Sequence, residues 1–253
     1  ATSSSRHRGA SDGPKSPGEL GEPHRAGLYS PMSIHQASQF CRYKVGVQYV
    51  GTLYSGCAFN NESRLPCVSA TLETAMDRFC KGDWTNLRFS SRTDAGVHAL
   101  RNVFQVDIRR RTGEFQAQNV PPSTVQNALN FHLESTSLMH IRDVSAQKQA
   151  FDARRSAVAR TYTYRLLVPR KKGLYVERES IFGMFQSDRA WQVDRPLNIP
   201  AMRAAAQELL GEQDFSSLRN GGCQSKSPVR RVLGVDVAST ADYPRGIGGG
   251  GGG

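Results

Sequence analysis

The stretch Arg92-Thr93-Asp94-Ala95-Gly96-Val97-His98 is where this sequence concentrates reactive groups. It sets a carboxylate between cationic and polar neighbours, beside a glycine that permits a turn a Cβ would resist. Held in this way, Asp94 stays ionised and can serve as a nucleophile or as the electrostatic partner of a centre gaining positive charge. Read alone, such an Asp also simply caps a turn. Arg92 alone is equally an ion-pair partner, and His98 reads better as a loop hydrogen-bonder than as a catalyst. The six histidines never reach metal-ligand spacing, so no metal is expected. The five cysteines are odd in number and contain no C-x-x-C pair. They form neither a zinc site nor a disulfide framework, which points to a reducing, intracellular compartment.

Strands and helices must position that loop. Val45, Val47 and Tyr49 alternate with polar or small residues, the two-residue period of a half-buried strand, and order is expected from Tyr43. After Pro66, the positions Val68, Leu72, Ala75, Met76 and Phe79 recur at helical spacing. Leu87 to Phe89 reads as a strand leading into the Asp94 loop, and Val103 to Ile108 as the strand leaving it. Pro121 and Pro122 open a helix carrying Val125, Ala128 and Leu129, and a strand follows around Met139 to Ile141. The second half repeats this grammar: a strand from Thr161 to Val168 with Tyr162, Tyr164 and Leu166 on one face, then a helix opened by Pro200. Met202, Ala205, Ala206, Leu209 and Leu210 form the apolar side of that helix, and Val229 to Val237 is strand-like. The span from Pro169 to Ile199, with Lys171-Lys172-Gly173, reads as a surface insertion. The interleaving predicts an α+β protein whose two units share a sheet.

Lys and Arg exceed Asp and Glu by 33 to 22, a formal net charge of +11. Such an excess favours polyanionic partners through counterion release, though it also suits a merely well-solvated surface. Arg109-Arg110-Arg111 and Arg154-Arg155 are the clusters that a basic groove would use. Residues 1–42 are rich in Ser, Gly, Pro, Arg and His and are expected to be disordered. Met32 is a candidate natural start, with a mitochondrial transit segment as the alternative, against which Asp12, Glu19 and Glu22 count. No apolar run reaches bilayer length, so no membrane partner is expected.

The run R-T-D-A-G-V-H-A, Arg92 to Ala99, resembles the active-site loop of the TruA family of tRNA pseudouridine synthases. Further segments follow in the family's order. Tyr49 to Gly56 is similar to its first strand and following loop, and Asn127-Ala128-Leu129-Asn130 to the helix after the active-site strand. Phe151 to Arg165, Leu210 to Ser217 and Lys226 to Arg230 match the second half. The resemblance spans Tyr43 to Val237 and is nearest to the eukaryotic branch. It implies two ferredoxin- or RRM-like units sharing a mixed, mainly antiparallel sheet with a central cleft. Residues 43–148 would form the first unit with the catalytic loop, 149–240 an incomplete second unit, and 241–253 a glycine-rich tail. The implied activity is isomerisation of uridine to pseudouridine in RNA, most simply tRNA, without cofactor or metal.

In that scheme Asp94 acts at the ribose, Arg92 holds the flipped-out geometry, and Tyr162 stacks on the base and is a candidate for proton transfer. His98, Arg154, Arg155 and Arg160 contact the substrate. A homodimer is a further expectation, and the location is mitochondrial or cytoplasmic and nuclear. Two departures stand out. Cys57-Ala58-Phe59 occupies a place where the family carries tryptophan and glutamine, and Ala70 stands where glutamine is usual. The family also continues past Val237 with a strand and helix that supply a basic partner to the aspartate. Here Tyr243 to Ile247 and a glycine run follow, so a truncated form is expected. The alternatives are a catalytically silent RNA-binding fragment and a purely structural basic protein.

Overall fold

Alternation along β1 (Phe40–Tyr49) buries Cys41, Tyr43, Val45, Val47 and Tyr49. In the computed structural model this strand lies inside a sheet, paired on both edges. The structure describes residues 39–59, 63–112, 117–136, 138–168, 186–193, 195–219 and 226–239. They form two compact units, one ending at Thr161 and the other beginning at Tyr162. The expectations for residues 1–38, for Lys171-Lys172-Gly173 within the Pro169–Ile199 insertion and for the tail at 241–253 lie outside the described residues, whereas the insertion's later part is described and carries a short strand.

In the first unit β1 is followed by α1 (Val68–Cys80), β2 (Trp84–Phe89) and β3 (Ala99–Arg109). The short β4 (Arg111–Thr112) and β5 (Ala117–Gln118) pair with each other. Then come α2 (Pro122–Leu133) and β6 (Met139–Gln147). The four long strands form one antiparallel sheet in the order β2-β3-β1-β6. Omitting the β4–β5 ribbon, the chain order is β-α-β-β-α-β, the split βαβ arrangement.

β1 begins at Phe40, earlier than alternation alone marks. Phe40 pairs with Arg109 of β3, whose guanidinium sits 4.9 Å from the Phe40 ring centre. Helix α1 starts where the Cys67 Sγ accepts the Ala70 N–H and ends at Lys81 in the left-handed region, φ 50°. Its buried stripe is Val68, Leu72, Ala75 and Met76. In α2 the stripe is Val125, Leu129 and Leu133, opened by proline where no N–H is needed. Both stripes pack with Tyr43, Val45, Phe104, Val106 and Ile108 in one core. Burying each large side chain there contributes about 1.5–3 kcal/mol.

Because side chains alternate along a strand, β3 turns Arg101, Val103, Gln105 and Asp107 to the face away from this core. That face is polar. Arg42 donates to both carboxylate oxygens of Asp107, at 2.7 and 2.8 Å, and Asn86 donates to Asp107 at 3.1 Å. Arg101 of β3 and Asp143 of β6 pair at 3.0 Å across β1 at Gly46, where a Cβ would lie 2.3 Å from the Asp143 carboxylate. The glycine makes room for that pair.

The second unit differs from its sequence expectation. Within Thr161–Val168, among the described residues, a ladder forms only at β7 (Leu166–Leu167), which pairs in parallel with β8 (Trp191–Gln192). Tyr162 is 71% exposed and Tyr164 is 88% exposed, so they do not share a buried strand face. The alternation is present, but residues 161–165 have no strand partner among the described residues. Helix α3 (Ile199–Gln207) is capped by the Asn198 side chain and buries Ala206, while Leu209 lies beyond its end and is 38% exposed. β9 (Gly211–Asp214) and β10 (Val229–Val232) form an antiparallel pair, and β10 stops five residues short of Val237.

Candidate active site

Asp94 sits in the connection between β2 and β3 and is exposed, as is Arg92. Three parts of the first unit hold the loop's backbone. At the end of β1, the Tyr49 hydroxyl and Thr93 Oγ1 share a hydrogen bond of 2.8 Å. Burial pushes the Tyr49 phenol up, against the opposing effect of its bonds to Thr93 and Asn102. On β3, Asn102 donates to the Ser91 carbonyl at 3.0 Å and to the Tyr49 hydroxyl at 3.3 Å, and it accepts from Ser90 Oγ at 3.3 Å. From residues 51–57, Cys57 N–H donates to the Thr93 carbonyl at 2.9 Å, while Gly96 N–H donates to the Tyr54 carbonyl at 3.2 Å.

Two glycines make this contact close. A Cβ at Gly51 would lie 2.1 Å from the Val97 carbonyl oxygen. One at Gly56, where φ is 114°, would lie 3.0 Å from the Thr93 oxygen. Gly96 itself has φ 77°, inside the turn that the Val97 N–H closes onto the Asp94 carbonyl at 3.2 Å. The likeness of residues 49–56 to a family segment therefore has a physical content: this stretch is the bed of the Asp94 loop. Cys57, at one of the departures from the family pattern, is buried, and burial raises its thiol to about 12. It stays an uncharged thiol near neutral pH and offers its S–H towards the Ser91 carbonyl at 3.9 Å.

His98 is brought to the loop's base, where its Nδ1 accepts the Gly51 N–H at 3.1 Å. That bond ties the His98 side chain to the backbone of the loop's bed. Arg160 also reaches the loop, its Nη2 donating to the Ser90 carbonyl at 2.9 Å. Arg154 and Arg155 are exposed, and their N–H groups both donate to Asp152 Oδ1 at 2.9 Å. Tyr162 belongs to the second unit and is exposed there.

Arg109-Arg110-Arg111 is not part of this constellation. β3 leaves the loop at Ala99 and reaches Arg109 at its other end, about 30 Å away at the usual strand rise. Arg109 there pairs with Asp83 at 2.8 Å and donates to Gln39 at 2.8 Å. Among the described residues, no three His, Cys, Asp or Glu side chains cluster as metal ligands. Neither Tyr49, read from the sequence only as a strand residue, nor Asn102 was expected at the site. The signal for Asn102 was present: it is a polar residue at a core-facing position of β3, in step with Phe104, Val106 and Ile108.

Taken together, the arrangement offers an exposed carboxylate on a braced loop, with cationic side chains on the same loop and at its base. No family model matches the chain. Among its curated relatives, the tRNA pseudouridine synthase A of Allorhizobium ampelinum is 38% identical over 202 residues, 79% of this chain and 70% of the relative. That of Methylorubrum extorquens is 37% identical over 196 residues, 78% and 70% of the two chains. That of Bartonella tribocorum is 34% identical over 200 residues, 78% and 71%.

Proposed function

We propose that this chain, which belongs to the tRNA pseudouridine synthase A family, isomerises uridine to pseudouridine in tRNA with Asp94 as its working carboxylate. The observation that carries the reading is the placement of Asp94: exposed on a loop fixed by the end of β1, by residues 51–57 and by Asn102. A pre-positioned carboxylate in such a frame loses little freedom when it meets a substrate.

In the reaction the bond between ribose C1′ and uracil N1 breaks, the uracil turns, and a bond forms between C1′ and C5. The C5 hydrogen leaves as a proton and N1 gains one, so no atom or electron enters or departs and the scheme invokes no cofactor. A stacked uridine must first leave its helix, at a cost of a few kcal/mol. Asp94 acts at the ribose, as nucleophile or as the counter-charge of a cationic C1′. Arg92 holds the extruded nucleotide. Tyr162 stacks on the base and moves a proton at the sugar, a role resting on its place in the Arg160-Thr161-Tyr162 segment. Arg154, Arg155 and Arg160 meet RNA phosphates, and His98 serves the substrate through the loop it anchors.

The wider reading is two ferredoxin-like units sharing one sheet around a cleft. The chain order and strand order of residues 40–147, with the resemblance of residues 151–165 to a second-half opening, support it. A homodimer rests on the resemblance alone. An intracellular location, mitochondrial or cytoplasmic and nuclear, rests on the cysteine pattern of the sequence, and among the described residues Cys41, Cys57, Cys67 and Cys80 are free thiols.

Incubation with tRNA transcribed from C5-tritiated uridine tests the function, since forming the C1′–C5 bond expels the label. Tritium release with matching pseudouridine in the digested RNA is the expected result. Bound tRNA with neither product would leave an RNA-binding protein instead.

A further inference from the structure

β3 carries two polar side chains that solvent hardly reaches, Gln105 and Asp107, each 1% exposed. Burying such groups is costly unless they find partners. Both contribute to holding residues 148–160, a segment without helix or strand that crosses the polar face of the sheet. At its start, Arg42 of β1, locked onto Asp107, donates to the carbonyls of Gln149 and Phe151. Over β3, Gln105 Oε1 accepts the Ala153 N–H at 2.7 Å. Over β2, Arg88 donates to Asp152 Oδ2 at 2.9 Å. At the end, Arg160 bonds the Ser90 carbonyl, where the Asp94 loop begins. The segment is thus a strap running from the end of the sheet remote from the loop to the loop itself.

Asp152 joins the strap's turn to the sheet. Oδ1 accepts the N–H groups of Arg154 and Arg155, its backbone carbonyl accepts the Ser156 N–H at 2.8 Å, and Oδ2 faces Arg88. The direction in which residues 157–160 leave the sheet follows from that turn. We propose that Asp152 is a positioning residue for the reaction: it fixes the strap so that Arg160 braces the backbone of the loop carrying Asp94. The inference rests on the reading of Asp94 given above. The Arg155 N–H, then the nearby Arg88 charge and the Arg154 N–H, keep the Asp152 carboxyl below the usual carboxylate range, so the brace is assembled at neutral pH.

The test compares Asp152→Ala, Asp152→Asn and Arg160→Gln with the unaltered chain. Single-turnover tritium release at saturating tRNA is measured together with tRNA affinity and amide exchange at Gly96 and Val97. Asp152→Ala should slow release about tenfold to a hundredfold, the scale of an ångström-sized misplacement, with affinity changed less than about threefold. Asp152→Asn keeps an oxygen for the Arg154 and Arg155 N–H groups and should recover to within about threefold of the unaltered rate. Arg160→Gln should match Asp152→Ala in rate while leaving exchange at residues 154–156 slow. Exchange at Gly96 and Val97 should quicken in both, a readout independent of turnover.

Unchanged Gly96 and Val97 exchange in Asp152→Ala and in Arg160→Gln overturns the proposal. So does a rate loss in Asp152→Ala that tracks only the fraction unfolded. If Asp152→Ala does not fold, the other two variants decide by the same criteria. Should Asp94→Asn remain active while the exchange coupling holds, the reading of Asp94 is what has failed, not the brace.

Discussion

The two faces of the four-stranded sheet answer different demands. One face, built on Tyr43, Val45, Phe104, Val106 and Ile108, packs α1 and α2 through side chains that interact with little directionality. The other carries Arg42, Asp107, Gln105, Arg88 and Asn86, whose bonds depend on angle and distance. The first can tolerate repacking and still fold. On the second, removing a partner leaves a specific donor or acceptor unpaired. Stability is concentrated on the apolar face, whereas the placement of the strap and of Arg160 depends on the polar one.

The largest expected effect separates the faces by stability. Leu72→Ala, beneath α1, should cost about 2–5 kcal/mol in denaturant unfolding, while tritium release per folded molecule stays near its original rate. A rate loss beyond the unfolded fraction would mean the apolar face also sets the site. Next, Asp107→Ala leaves Arg42 only its two carbonyl partners at a mostly buried position. It should cost about 2–3 kcal/mol, below the range for a fully buried pair because Arg42 retains 14% exposure, and it should also slow the folded molecules.

Gly51→Ala probes the loop's bed and should do the reverse of Leu72→Ala. Its Cβ would lie 2.1 Å from the Val97 oxygen, so the Asp94 loop must move. We expect a loss of about 1–2 kcal/mol, with a fall in rate larger than the fall in stability implies. The smallest effect is acid-dependent. The folded pKa of Asp152 lies below its ordinary 3.8, so its contribution is complete above about pH 5 and disappears as pH falls through the lowered folded value. The group is largely solvent-screened, so Asp152→Asn should flatten the acid limb of the stability profile by less than about 1 kcal/mol. Unchanged acid limbs in the two proteins would show that the carboxylate contributes no pH-dependent stability.

These contrasts also explain what the sequence disclosed. β1, α1 and α2 were legible because each meets the core through a regular period, and Pro121-Pro122 marks the start of α2. The Asp94 loop was legible as a compact motif lying between two strand patterns. The strap was not, because its contacts have no period and link residues 48 to 109 positions apart in the chain, from Gln105 with Ala153 to Arg42 with Phe151. The Thr161–Val168 strand was overextended for a related reason. Alternation shows which residues would share a face if a partner strand were present, and pairing occurs only at Leu166 and Leu167. Arg109-Arg110-Arg111 read as a basic patch from composition, while its distance from Asp94 became visible only with the register of β3.

Asp94→Asn tests the central claim most directly. The substitution keeps the shape of an exposed side chain, removes its negative charge and leaves every backbone bond that braces the loop. Tritium release from C5-labelled tRNA, measured beside tRNA affinity and the thermal midpoint, gives the answer in one series. No release is expected from Asp94→Asn, with affinity and midpoint close to those of the unaltered, active chain. Release by Asp94→Asn at the unaltered rate would contradict the claim and move the catalytic carboxylate elsewhere.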